Sequence, residues 1–190
     1  MSKFKSATTE INGKKYTAQF NGLSEKNKAE DRAYLANSPA LSLEKLGKYC
    51  LENVIVKPKL RFEDFGKDKI GQEKTTTING VEYTARFNGI LEGLRMVDSC
   101  YIDNTAKTSS VKTYEYLFKH VIVSPKNLTE DDFECQEDLD ELVAFASEVL
   151  QGDGAMEEYN KVFAFAREVM DGSYFRKNPV EEETGKGSAE

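Results

Sequence analysis

The sequence lacks tryptophan, contains a single histidine among its 190 residues, and has no long run of apolar residues. No apolar stretch approaches the roughly 20 residues that a membrane-spanning helix needs. The first ten residues, MSKFKSATTE, also lack the apolar stretch of a secretory signal peptide. Because 31% of the residues are charged, we expect a soluble, cytoplasmic protein with a well-solvated surface.

Residues that carry chemistry are also scarce. The three cysteines, an odd number without a Cys-x-x-Cys pair, are interpreted as buried thiols in a reducing compartment; they are Cys50, Cys100 and Cys135. No phosphate-binding loop, dinucleotide-binding, metalloprotease or nucleophile-elbow motif occurs. His120 has no nucleophile pattern nearby and is interpreted as a surface or half-buried helix residue. Glu130, Asp131 and Asp132 lack the spacing of a calcium loop and indicate a helix N-terminus. We therefore expect no enzyme, no metal and no cofactor.

Negative charge is concentrated in the C-terminal part of the chain. The formal net charge is −7. Residues 137–190 carry 14 acidic and 5 basic side chains, whereas residues 1–74 carry 10 acidic and 15 basic ones. Nucleic-acid binding needs clustered Lys and Arg for phosphate contacts. The acidic second half disfavours that function, and the basic side chains of the first half are too dispersed to reverse the conclusion.

The dominant feature is an internal duplication. TTEINGKKYTAQFNG, residues 8–22, returns as TTTINGVEYTARFNG at residues 75–89. The match continues without a gap from residues 8–59 to residues 75–126 at an offset of 67, and 23 of the 52 pairs are identical. After one inserted residue, Asn127, the offset is 68 and LRFEDF matches LTEDDF at its ends. Identity at this level indicates two copies of one structural unit.

Each copy predicts a β-hairpin followed by two helices. Asn12-Gly13 and Asn79-Gly80 lie between short β-prone runs, and both residues of this dipeptide tolerate the positive φ angles of a type I′ turn. Apolar side chains then alternate with polar ones at Tyr16, Ala18 and Phe20, and at Tyr83, Ala85 and Phe87. Pro58 and Pro125 are expected to end the second helix of each copy. The sequence thus predicts an α+β fold of two tandem related units.

Apolar stripes with helical spacing define these helices, and the two copies differ in strength. The stripes are Leu91, Leu94, Val97, Tyr101 and Ile102, then Val111, Tyr114, Phe118, Val121 and Ile122, with Leu43, Leu46, Cys50, Val54 and Ile55 repeating the later one in the first copy. Where the second copy has Leu91, Leu94, Met96 and Val97, the first has Ser24, Asn27, Ala29 and Glu30. We therefore expect the first copy to have the weaker core and to depend on packing against the second copy for its stability.

The predicted organisation has six parts. They are a flexible N-terminus at residues 1–7, the first copy at 8–65, a linker at 66–74, the second copy with a terminal helix at 75–153, an extra C-terminal helix at 154–176 and a disordered acidic tail at 177–190.

A second, smaller repetition lies in the two terminal helices. LVAFASEVLQG, residues 142–152, resembles VFAFAREVMDG, residues 162–172. The stripes of the two helices include the candidate partner-binding residues Leu142, Phe145, Val149, Val162, Phe165 and Val169. Two interpretations stay open: the helices cover the core, one for each copy, or they form a groove for a helix of a partner.

One stretch resembles a known family. INGVEYTARFNG, ILEGLRMVD, YLFKHVIVSPKNLTEDDF and ELVAFASEVLQG together resemble the tail assembly chaperones of long-tailed phages, or prophages, of Gram-positive bacteria. The resemblance covers residues 75–152 well and residues 8–65 as a diverged second copy. Its most specific part runs from Leu117 to Phe133. The tandem arrangement and the extra helix at residues 156–171 depart from a single-unit member.

The resemblance implies a non-enzymatic role. Such proteins bind the tape-measure protein, keep it soluble, help to recruit tail-tube subunits around it, and leave before the virion is complete. The implied location is the host bacterial cytoplasm, with no nucleic-acid or membrane partner, and homo-oligomerisation stays open. Two alternatives also stay open: a structural phage tail or connector component, and an acidic phage-encoded inhibitor of a host defence protein.

Overall fold

A computed structural model of the chain describes residues 5–178, and in each copy a hairpin, two helices and a short strand follow one another. The first copy contains β1 (Lys5–Ile11), β2 (Lys14–Phe20), α1 (Leu23–Ala33), α2 (Leu43–Tyr49) and β3 (Ile55–Lys57). The second copy contains β4 (Glu73–Ile78), β5 (Val81–Arg86), α3 (Ile90–Ser99), α4 (Ser110–His120) and β6 (Ile122–Ser124). Three helices follow: α5 (Gln136–Gln151), α6 (Ala155–Met170) and α7 (Ser173–Lys177). The predicted α+β fold is confirmed.

The two hairpins have the predicted turns. Asn12 and Gly13 have φ angles of 51° and 76°, and Asn79 and Gly80 have φ angles of 46° and 80°. Positive φ at both central residues is the mark of a type I′ turn, whose twist matches that of the paired strands. The same dipeptide therefore produces the same turn in both copies.

A third strand completes each sheet, and the sequence did not reveal it. β3 pairs antiparallel with β2, and β6 pairs antiparallel with β5. The prediction that Ile55 and Ile122 end helical stripes is wrong, because both lie on these strands. Tyr101 and Ile102 likewise follow the end of α3. A strand of three residues is too short to show alternation, so the Val-Ile-Val run at the start of each strand extends the apparent helical pattern.

Each of the two long terminal helices covers one copy: α5 covers the second copy, and α6 covers the first. α5 packs against β4, β5, α3 and α4 of the second copy. α6 packs against β1 and β2 of the first copy and against a π-helical turn at Cys50–Val54. The expectation of one covering helix for each copy is confirmed, and the first copy is completed by a helix from the far end of the chain.

Several boundaries in the structure differ from those predicted from the sequence. β1 begins at Lys5, so residues 5–7 are strand and not a flexible N-terminus. β4 begins at Glu73, within the predicted linker, and the rest of that segment is bonded to the second copy: the Gly71 N–H donates to the Phe87 carbonyl over 2.8 Å. Of the predicted disordered tail, Lys177 ends α7, and residues 179–190 lie outside the described part of the chain.

The cysteines do not all share the predicted environment. Cys50 and Cys100 are buried. Burial raises the pKa of the Cys50 thiol to about 12, and the positive charge of Arg167 offsets a smaller part of this shift. Cys135 is exposed, so its interpretation as a buried thiol is wrong. It lies immediately before α5, where the chain crosses the surface to enter that helix.

The inequality of the copies is visible in their first helices. α1 buries only Ala29 and Ala33, and its main packing partner is α2. α3 buries Ile90, Gly93 and Leu94 and packs against α2, α4 and α5. α3 therefore lies between the two copies and contributes to both cores.

Candidate helix-binding groove

The candidate partner-binding residues lie mostly in the core. Five of the six are buried in the folded chain: Leu142, Val149, Val162, Phe165 and Val169. Phe145 is half-buried and packs against the same core. In this fold the two stripes are the covering layers of the two sheets and do not form an open groove between them.

The region around His120 offers a polar cluster on α3 and α4. Tyr116 donates to the Glu92 carboxylate over 2.5 Å, and His120 Nδ1 lies 3.7 Å from the same oxygen. Burial, and then the hydrogen bond to Glu92, raises the pKa of Tyr116. His120 is exposed, as predicted for a surface residue.

The acidic run at residues 130–132 forms a 3₁₀ turn. Asp132 accepts from the Thr129 N–H over 2.7 Å, which caps the turn locally. Within residues 5–178, no group of three or more His, Cys, Asp or Glu side chains is placed to hold a metal ion. In the same range no helix is long and apolar enough to cross a membrane.

A more informative site lies where the two copies meet. We call the surface formed by α2, the π-helical turn and residues 60–63 the first groove. α3 of the second copy lies against it, with Leu91 and Arg95 facing the groove residues. Arg95 forms an ion pair with Glu44 at 3.1 Å. The first groove is therefore a helix-binding surface, and its occupant comes from the same chain.

Asp98 at the C-terminal end of α3 caps the N-terminus of α2. Its carboxylate accepts from the Ser42 hydroxyl over 2.5 Å, from the Leu43 N–H over 2.7 Å and from the Glu44 N–H over 3.0 Å. The Ser42 hydroxyl in turn accepts from the Lys45 N–H over 3.0 Å. A carboxylate at this place satisfies N–H groups that α2 leaves unpaired and interacts favourably with the helix dipole. The cap ties the two copies together.

Replacement of Asp98 by Ala should lower the free energy of unfolding by about 2–3 kcal/mol, because it removes charged hydrogen bonds and leaves the buried Ser42 hydroxyl without its acceptor. Urea unfolding measures the loss. Asp31 occupies the matching position in the first copy and is exposed, so Asp31→Ala should change stability by less than about 0.5 kcal/mol. Equal effects of the two substitutions would show that Asp98 has no special role between the copies.

The second copy has a matching surface, across which no helix of residues 5–178 packs. We call the surface formed by α4 and residues 126–128 the second groove. Its lining includes Glu115, Phe118, Lys119 and Leu128, which correspond to Lys48, Leu51, Glu52 and Leu60 of the first groove. In the described residues α4 packs mainly against α3, α5 and β6; β6 lines this groove with Ile122 and Val123, and no residue of α3 or α5 lines it. Within the described part of the chain, one of two related surfaces thus has a helix packed against it and the other does not.

The sequence contained a signal for this site that helical periodicity could not reveal. Asp31 matches Asp98, and Ser42 matches Ser109, so the capping pair is identical in both copies. Polar residues kept through a duplication in which the surrounding apolar residues diverged indicate a shared interaction. Which Asp meets which Ser depends on how the copies pack, and the sequence alone does not supply that.

No family model matches the chain, and no curated protein or solved structure shows significant similarity to it. The residues and their geometry therefore carry the functional proposal.

Proposed function

We propose that this protein is a non-enzymatic tail assembly chaperone of a long-tailed phage or prophage of Gram-positive bacteria. It binds the tape-measure protein, keeps that long helical chain soluble and helps to recruit tail-tube subunits around it. It acts in the host cytoplasm and leaves before the virion is complete.

One observation carries the proposal: each copy has a groove beside its second helix, α3 packs against the first groove, and within residues 5–178 no helix packs across the second. A protein that covers the apolar side of a long helix needs such an open surface. The net charge of −7 favours solubility while an apolar partner is bound. The resemblance of residues 75–152 to tail assembly chaperones points to the same class of partner.

Co-expression tests the proposal directly. The gene neighbourhood should contain a very long open reading frame with apolar helical periodicity, and its product should be soluble with this protein and insoluble without it. Centrifugation of lysates and gel quantification measure the soluble fraction. Mass spectrometry of purified particles should find this protein absent. Its presence in complete particles would favour a structural tail component, and failure to change the solubility of the long protein would contradict the chaperone proposal.

A further inference from the structure

The first groove provides a template for a ligand of the second groove. Three residues of α3 meet the first groove or the N-terminus of α2, namely Leu91, Arg95 and Asp98. They are spaced four and three residues apart, which places them on one face of a helix. A helix that enters the second groove in the same way presents three side chains with this spacing.

The second groove differs from the first at the position that meets Arg95. Glu44, the ion-pair partner of Arg95, is replaced by Val111, whose side chain is 51% exposed. A cation there would lose its partner and would cover an apolar side chain. An apolar residue is therefore favoured at the middle position of the ligand.

The same surface carries unbalanced positive charge at its other end. Lys119 and Lys126 line the second groove, are exposed, and form no salt bridge within residues 5–178. In the first groove α3 runs antiparallel to α2, because Asp98 near its C-terminal end meets the start of α2. A ligand in this orientation places its N-terminal turn near the two lysines, where acidic residues are favoured.

The start of α4 lacks the cap that the start of α2 receives. Ser109 bonds to the Lys112 N–H as Ser42 bonds to that of Lys45. In the described residues no carboxylate accepts from the N–H groups of Ser110 and Val111, which correspond to those bonded by Asp98 in the first copy. An Asp on the ligand would complete the same arrangement.

A second copy of this chain fits the open groove poorly. Its only counterpart of α3 is α1, which would present Ser24, Lys28 and Asp31. Asp31 matches the capping residue, but Ser24 supplies no apolar contact and Lys28 would lie over Val111. The chain therefore offers the capping Asp and, with Glu25, an acidic first turn, but neither of the two apolar contacts.

We infer that the second groove binds an amphipathic helix of a partner protein that carries two apolar residues four positions apart, an Asp three positions after the second of them, and acidic residues in its first turn. The inference rests on the proposed function for the identity of that partner, the tape-measure protein. It places the contact on α4 and residues 126–128, outside the terminal-helix residues that the sequence suggested.

Fluorescently labelled alanine-based peptides test the pattern without the partner. A peptide of about 20 residues, long enough to be helical in isolation, carries Leu-x-x-x-Leu-x-x-Asp with Glu in its first turn. Fluorescence anisotropy with the full chain should detect saturable binding. Replacing the Asp by Asn should weaken binding about tenfold, as should replacing the second Leu by Arg, the residue that α3 has there.

Two matched protein variants locate the binding surface. Val111→Glu places a charge at the end of the second groove, one helical turn before Glu115, and should abolish peptide binding. Val81→Glu changes a similarly exposed valine, 46% exposed at the start of β5, and should leave binding unchanged. Circular dichroism melting should show that both variants stay folded. Equal affinity of both variants for the peptide, or no binding by the unchanged protein, would overturn the assignment.

Two further outcomes separate this inference from the proposed function. If the peptides fail to bind and co-expression still keeps the tape-measure protein soluble, the groove assignment falls and the chaperone proposal stands. If the chain self-associates, Asp31→Ala abolishes that association, and peptide binding declines as the protein concentration rises, the occupant is a second copy and the inference is wrong. Sedimentation velocity measures the association.

Discussion

A chain that ends at Gly154 should lose the folded first copy and keep the folded second copy. The deletion removes α6, which covers the first sheet with buried side chains, among them Met156, Tyr159, Val162, Phe165, Ala166 and Val169. Burial of each large apolar side chain stabilises a protein by about 1.5–3 kcal/mol. The sum of these losses is comparable to the stability of a typical domain, about 5–15 kcal/mol. α5 still covers the second sheet, so the second copy keeps most of its core.

Hydrogen exchange followed by mass spectrometry measures this outcome segment by segment. In the truncated chain, β1, β2 and α2 should lose protection, while β4, β5 and α4 should keep it. A chain that ends at Asn178 keeps α6 and α7, and should match the full protein. Equal loss of protection in both copies would mean that the two form a single cooperative unit, contrary to the assignment of one covering helix to each.

Local sequence signals predicted the repeated elements well, because the physics that sets them is local. Asn-Gly adopts positive φ whatever surrounds it, so both hairpin turns could be predicted from the dipeptide. The spacing of apolar residues likewise predicted the helices at residues 142–152 and 162–172. A pattern repeated at a fixed offset then implied that the same elements recur in the same order.

The arrangement between the copies depends on long-range packing, which periodicity does not encode. The stripe of α6 looked like that of α5, yet the helices cover different sheets. An apolar stripe indicates that a helix is covered, but not what covers it, and for this reason the buried Leu142 and Val162 could be interpreted as partner-binding residues. Asp98 is charged and therefore does not contribute to an apolar stripe. Its capping role follows only from the packing of α3 on α2.

Close packing of α6 against α2 explains why one glycine of the first copy lies within a helix. A Cβ atom on Gly47 would lie 2.1 Å from the Tyr159 hydroxyl. That hydroxyl is buried and, within the described residues, has no hydrogen-bond partner. The matching residue of the second copy is Tyr114, whose half-buried ring packs against the core. The two copies have thus diverged where their covering helices differ, while their hairpins have stayed alike.

The first helices of the two copies have also diverged in what they cover, because α3 of the second copy packs against the first copy as well as its own. α3 contributes to the core of its own copy and packs against the first groove, whereas α1 lies at the edge with Leu23 exposed. The first copy therefore depends on its neighbour for a layer that its own α1 no longer supplies. A pair of matched substitutions can measure this asymmetry.

Leu94→Ala should lower the free energy of unfolding by about 2–5 kcal/mol, whereas Asn27→Ala at the matching position should not lower it. Leu94 is 4% exposed, so its truncation removes buried apolar surface and leaves a cavity beside the core. Asn27 is exposed on α1, where Ala has the higher helix propensity, so its replacement should leave stability unchanged or raise it by a few tenths of a kcal/mol. Urea unfolding of the two variants and the unchanged protein measures both values. Equal losses would mean that α1 and α3 contribute equally, and the proposed dependence of the first copy on the second would be wrong.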